Sequence, residues 1–173
     1  MKLLYTTLVC FFAIACNTSK NLNTKTLFVD ETILCPEDGI CSFNILKNKT
    51  YNIKIDEFGN SYSELLDGEK TVLKFEYKRN EIEGFQDSNY REVIYIEIDS
   101  KGLELNLTDV DLKKANVGFE RYCFCRGQTG AYAISQGNLL LTNIKENEYS
   151  ITLNFATDKV PHVIKIIKEN FTL

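Results

Sequence analysis

Thr71-Val72-Leu73-Lys74-Phe75-Glu76-Tyr77-Lys78 sets Leu73, Phe75 and Tyr77 on one side of an extended chain and Lys74, Glu76 and Lys78 on the other. Successive side chains of a strand point to opposite faces, so this period of two predicts a half-buried antiparallel strand, one face in a core and the other wet. The period recurs on either side. Leu103, Leu105 and Leu107 alternate with Glu104 and Asn106, and Tyr149, Ile151, Leu153 and Phe155 alternate with Ser150, Thr152 and Asn154. Ile94, Ile96 and Ile98 continue it in a run of β-branched residues suited to a pleated surface. Between the runs stand Pro36-Glu37-Asp38-Gly39, Phe58-Gly59-Asn60, Ser100-Lys101-Gly102, Gln128-Thr129-Gly130, Gln136-Gly137-Asn138 and Glu146-Asn147, which carry the residues tight turns require. Asn80 to Asn89 is one longer polar interruption, and Thr108 to Lys114 has the makings of a single helical turn. The spacing predicts an all-β domain of about nine or ten strands, an antiparallel sandwich or a partly closed barrel, with the sandwich preferred. A single open sheet of that size would leave an apolar face in water.

The N-terminus reads differently. Lys2 precedes an apolar run from Leu8 to Ala15, which ends in small residues before Cys16, the outline of a secretory signal. The run is far shorter than the ~20 apolar residues of a membrane-spanning helix. Ala13-Ile14-Ala15-Cys16 resembles the lipobox of bacterial lipoproteins, with Ala13 where Leu usually stands. The resemblance implies that the Cys16 thiol receives a diacylglycerol, that the chain is cut before it, and that the new amino terminus is acylated. Several acyl chains, each contributing ~0.8 kcal/mol per buried CH₂, would hold the protein to a membrane where one chain is marginal. Asn17 follows, without the Asp that marks inner-membrane retention in many such lipoproteins, which points to the outer membrane of the cell envelope rather than the inner. The expected organisation is a signal peptide over 1–15, a lipidated cysteine and polar tether over 16–26, and a single β domain over 27–173.

Cleavage before Cys16 would remove one Lys and no acid, leaving 19 basic and 24 acidic side chains. That acidic balance, with no block of Lys or Arg, argues against a nucleic-acid partner, since phosphate binding needs a basic face. Cys10 would leave with the signal and Cys16 would be consumed by lipid. Cys35, Cys41, Cys123 and Cys125 then remain in an oxidising compartment, an even number able to pair fully. Cys123 and Cys125 are two apart, and on a strand their β-carbons would be ~6.5 Å apart, whereas a disulfide needs about 3.5–4.5 Å. An internal bridge therefore requires a bulge or bend. The favoured expectation is two bridges joining the Cys35/Cys41 hairpin to the Cys123 strand, with local Cys35–Cys41 and Cys123–Cys125 pairs as the alternative. Cys-Pro-Glu-Asp-Gly-x-Cys early and Tyr-Cys-Phe-Cys-Arg-Gly-Gln-x-Gly late together resemble small uncharacterised bacterial lipoproteins, a resemblance that carries no activity with it.

Of the remaining chemistry-bearing residues, His162 is the only histidine and has no nucleophilic serine motif to serve. The paired acids Asp56/Glu57, Glu81/Glu83 and Asp109/Asp111 read as solvated surface, and Asp56 to Asn60 as a turn rather than a calcium loop. No metal site and no cofactor are expected. Tyr and Arg are enriched at interaction hot spots, so Arg121, Tyr122, Phe124, Arg126 and Tyr132, with Tyr90, form the expected binding face. The function that follows is a lipid-anchored, non-enzymatic envelope module for a protein or glycan partner. Two other readings stand beside it: a thiol–disulfide redox protein using Cys123 and Cys125, and a small envelope inhibitor of a hydrolase such as lysozyme.

Overall fold

The computed structural model describes residues 35–100 and 104–173; the signal segment, Cys16, the tether and the first residues of the expected domain lie outside them. Among the described residues nine strands form two antiparallel sheets. The first sheet takes β1 (Gly39–Ile55), β2 (Ser61–Arg79), β3 (Tyr90–Asp99), β5 (Gly118–Cys123) and β6 (Gly130–Ala133) in the order β1-β2-β3-β5-β6. The second takes β4 (Leu105–Thr108), β7 (Gln136–Lys145), β8 (Glu148–Ala156) and β9 (Ile166–Thr172) in the order β4-β7-β8-β9. The sheets are not closed into a barrel; the fold is a sandwich. A 3-10 helix, Asp109–Ala115, occupies the expected helical turn and buries Leu112 and Ala115.

Register follows the alternation. Leu73 opposes Ile96 and Phe75 opposes Ile94, which in turn opposes Phe119, so one face of the first sheet is a continuous apolar layer. Leu139 and Leu141 of β7 lie opposite Leu153 and Ile151 of β8 and supply the second layer. Each fully buried aliphatic or aromatic side chain contributes roughly 1.5–3 kcal/mol of burial energy, and that gain fixes which face turns inward. One punctuation mark moves: Gln136-Gly137-Asn138 is not a turn but the start of β7, and the chain crosses from the first sheet to the second just before it, at Ile134 and Ser135. Gly137 is needed in the strand because a β-carbon there would sit 2.1 Å from the Asn154 carbonyl oxygen.

The outer face of β2, expected to be wet, is wet only in part. The β1–β2 hairpin continues well beyond β3, and its register shifts between Lys47 and Lys49 around Asn48, whose φ is 55°. A bulge of this kind bends a strand and increases its twist. The distal half of the hairpin then folds back across the outside of its own sheet. Thr50 donates to the Glu97 carboxylate at 2.7 Å, the Asn116 side chain donates to the Tyr51 carbonyl, and Ser61 accepts from the Ala131 amide at 3.1 Å. Underneath, Tyr51 stacks on Tyr95 with ring centroids 4.5 Å apart, and Val72 and Val93 close a second small core. The far end of the same face, around Glu76, Lys78 and Arg91, is left uncovered.

Candidate functional site

That uncovered end is a cleft of about 550 Å³, within the ~300–1,000 Å³ range of small-ligand sites. Its floor is laid by Glu76 and Lys78 of β2, Arg91 of β3 and Tyr122 of β5. One wall is the polar segment Asn80–Asn89 and the other is the turn after β5, led by Phe124. Phe124 is 80% exposed, a large apolar ring held in water. The Arg91 guanidinium lies 4.2 Å from the centroid of the Tyr122 ring and 3.7 Å from the Glu76 carboxylate, which Lys74 also approaches at 2.5 Å. Tyr122 donates to Glu120 at 2.7 Å, and partial burial with that carboxylate beside it pushes its phenol up to about 12.

Glu120 joins the cleft to the folded-back hairpin. It is 2% exposed and accepts from Tyr122 on one side and from Ser63 on the other. Desolvation raises its pKa above the ordinary value of 4.5, outweighing the hydrogen bond from Tyr122 and the nearby Arg91 and Lys74 charges. The folded state therefore binds this proton more tightly than the unfolded chain does. The stabilisation is full below the unfolded pKa and is lost as pH rises through the raised folded value. Asp38, Asp56 and Asp67 have lowered pKa values and act in the opposite direction. The difference between wild type and Glu120→Gln isolates the Glu120 contribution. We expect the variant to gain stability relative to wild type as pH is raised from 4.5 towards neutrality, measured by urea unfolding at several pH values. A wild-type curve that does not diverge from the variant's over that range contradicts a desolvated Glu120.

Behind the floor, on the inner face, lies a second polar group. Glu92 is fully buried and accepts from the backbone amides of Val163 and Ile164 at 2.6 and 2.8 Å. Tyr90 also donates to it, and the Tyr90 hydroxyl accepts from Arg121 at 3.3 Å. Arg121 in turn donates to the Gln128 side chain at 2.6 Å. These contacts tie the β8–β9 connection and the Cys123 turn to β3. No known family, curated protein or solved structure matches the chain. What the site does has to be read from its own residues.

The expected binding face is divided accordingly. Tyr122 and Phe124 line the cleft, and Tyr90 stands at its inner boundary. Arg126 is exposed on the adjoining turn. Arg121 does not belong to this face: it opposes Glu92 in the β3–β5 register, so its side chain turns inward and is 8% exposed. Tyr132 is also displaced, half-buried against the Phe119 ring at 6.4 Å. One-residue alternation separates them, since Arg121 and Tyr122 are neighbours in sequence on opposite faces. In the sequence Gln86 and Asp87 carry no signal beyond the polar interruption they belong to. Arg91 and Glu92, within Tyr90-Arg91-Glu92-Val93, carried no sequence signal beyond being charged residues beside a strand. His162 is structural, stacked on Phe155 with centroids 5.2 Å apart and with Nδ1 2.7 Å from the Ile164 carbonyl oxygen.

The cysteines correct the favoured pairing. Cys35 bonds to Cys41 and Cys123 to Cys125, with Cα separations of 5.6 and 5.2 Å. Cys41 lies on β1 and Cys123 on β5, with β2 and β3 between them. Three strand spacings of ~4.8 Å put the two groups roughly 14 Å apart, beyond the reach of a disulfide. The bend that a Cys-x-Cys bridge requires is present: β5 ends at Cys123 and the chain turns at Phe124. Cys123 is further held by Thr129, whose hydroxyl donates to the Cys123 carbonyl at 2.8 Å. Tryptic mapping of the oxidised protein is expected to yield Tyr122–Arg126 as a peptide 2 Da lighter than its reduced form and not crosslinked to the peptide holding Cys35 and Cys41. A crosslinked peptide would refute the local pairing. Bridges closing loops this short contribute about 2 kcal/mol or less in the entropic account.

Proposed function

We propose that this chain is a lipid-anchored envelope module that binds a protein or glycan partner through the cleft between Asn80–Asn89 and the Cys123–Cys125 turn. The observation that carries this reading is Phe124. A ring 80% exposed contributes little to the core, yet the disulfide brackets it from both sides and sets it at the rim of a cleft floored by Tyr122 and Arg91. Exposed apolar surface framed by polar groups is characteristic of an interaction site. Holding the ring in place beforehand lowers the entropy lost on binding. The Ala13-Ile14-Ala15-Cys16 segment supports the envelope location.

The two halves of the proposal are tested separately. Cys16→Ser is expected to move the protein from the membrane fraction to the soluble fraction; retention on the membrane would remove the anchor. Crosslinking in intact cells is expected to recover an envelope component with wild type and to lose it with Phe124→Ala, whose thermal stability should match wild type. Equal recovery by both proteins would remove the cleft.

A further inference from the structure

We propose that the cleft takes a neutral oligosaccharide, with the face of one sugar ring stacked on Phe124 and its hydroxyls bonded by the carboxylate and amide side chains of the opposite wall. This rests on the cleft being the binding site, and it names the ligand class. Charge is the first argument. The lining holds two acids, Glu76 and Asp87, against two bases, Lys78 and Arg91. Glu76 is already shared between Lys74 and Arg91. A strongly charged ligand would find no excess of opposite charge to repay its desolvation.

Backbone geometry is the second argument. An extended peptide gains much of its affinity by adding to a free strand edge. Here the floor is the interior of a sheet: β3 is paired with β2 on one side and β5 on the other. Where β5 passes beyond β6, the Cys123 carbonyl is taken by the Thr129 hydroxyl. An extended peptide therefore finds no free strand edge in the cleft floor.

The side chains present suit a polyhydroxylated ring. The faces of a pyranose carry C–H groups of slight positive charge, which complement the negative face of an aromatic ring. Tyr122 already has Arg91 over its ring at 4.2 Å, while Phe124 is open. Across the cleft Gln86 and Asn89 offer both donors and acceptors, and Asp87 offers two acceptor oxygens, a set that matches hydroxyls able to donate and accept.

The test uses the full chain with its disulfides intact on two probes, an array of neutral and acidic glycans and a phage library of random dodecapeptides. Wild type, Phe124→Ala and Phe124→Trp are compared, with thermal melting as the control for folding. The expected result is binding to one or more neutral glycans, weakened at least tenfold in Phe124→Ala, preserved in Phe124→Trp, and accompanied by unchanged melting. Preference for acidic glycans overturns the neutral class. Selection of peptides that depend on Phe124, with no glycan bound, overturns the sugar and leaves the cleft standing. Binding to neither probe overturns both.

Discussion

Glu92→Ala is expected to destabilise the domain by about 3–5 kcal/mol, the cost of breaking a buried, fully hydrogen-bonded charge network by removing one member. The side chain is 0% exposed. Its loss leaves the Val163 and Ile164 amides and the Tyr90 hydroxyl without their acceptor, the Ile164 amide in the buried interior. Glu92 is thus the polar link between the two layers of the sandwich, holding the segment before β9 against β3. Glu92→Gln keeps an acceptor oxygen and the volume, so its cost should be clearly smaller than that of the alanine variant. Guanidinium unfolding measures both. A loss below about 1 kcal/mol for Glu92→Ala would mean that the amides find other partners and that the link is dispensable.

Gly118→Val is expected to cost roughly 3 kcal/mol, at the upper end for overpacking, because the neighbour it meets cannot move away. A β-carbon at Gly118 would lie 2.2 Å from the Tyr51 ring and 2.5 Å from its hydroxyl oxygen. Tyr51 is fully buried and stacked on Tyr95, so the ring can yield only by lifting the hairpin from the sheet. Among the described residues its hydroxyl has no partner within hydrogen-bond geometry, and Ser63 beside it donates to Glu120. The packed ring therefore acts through its stacking, beside the backbone and side-chain hydrogen bonds that Glu97 and Asn116 make to Thr50 and Tyr51. The pattern of damage is also specific. Amide hydrogen exchange should rise most in 49–55 and 61–67 and much less in β7 and β8, which belong to the other sheet. Uniform acceleration across both sheets would show that the hairpin is not a separately released layer.

Gly118 and Glu92 owe their importance to segments distant in sequence, the β1–β2 hairpin for one and the β8–β9 connection for the other. Lys74, Glu76 and Lys78 alternate with core residues, which predicts a wet face, and the end that carries the cleft is wet. The bulge at Asn48 instead carries Tyr51 over Val72 and Val93, and a polar-looking hairpin becomes a cover. Glu92 and Arg121 are charged residues on the core side of their strands. Their burial is tolerable only because partners arrive from the β8–β9 connection and from Gln128, far along the chain.

Alternation and turn chemistry by themselves determined that this protein is an antiparallel all-β domain, because a period of two is a local property that the pleat converts directly into an inside and an outside; the pairing of the strands into two separate sheets decided for the sandwich over the partly closed barrel. The lipobox-like segment sets an expectation about place that stands on its own residues. Tertiary structure decided the rest. Strand order separated the cysteines of β1 from those of β5 by two intervening strands and made both bridges local. The fold-back of one hairpin decided which half of an outward face remains open, and so where Phe124, Tyr122 and Arg91 meet. Contacts of that kind depend on the order in which strands lie side by side, and alternation along a single strand is the same for every such order.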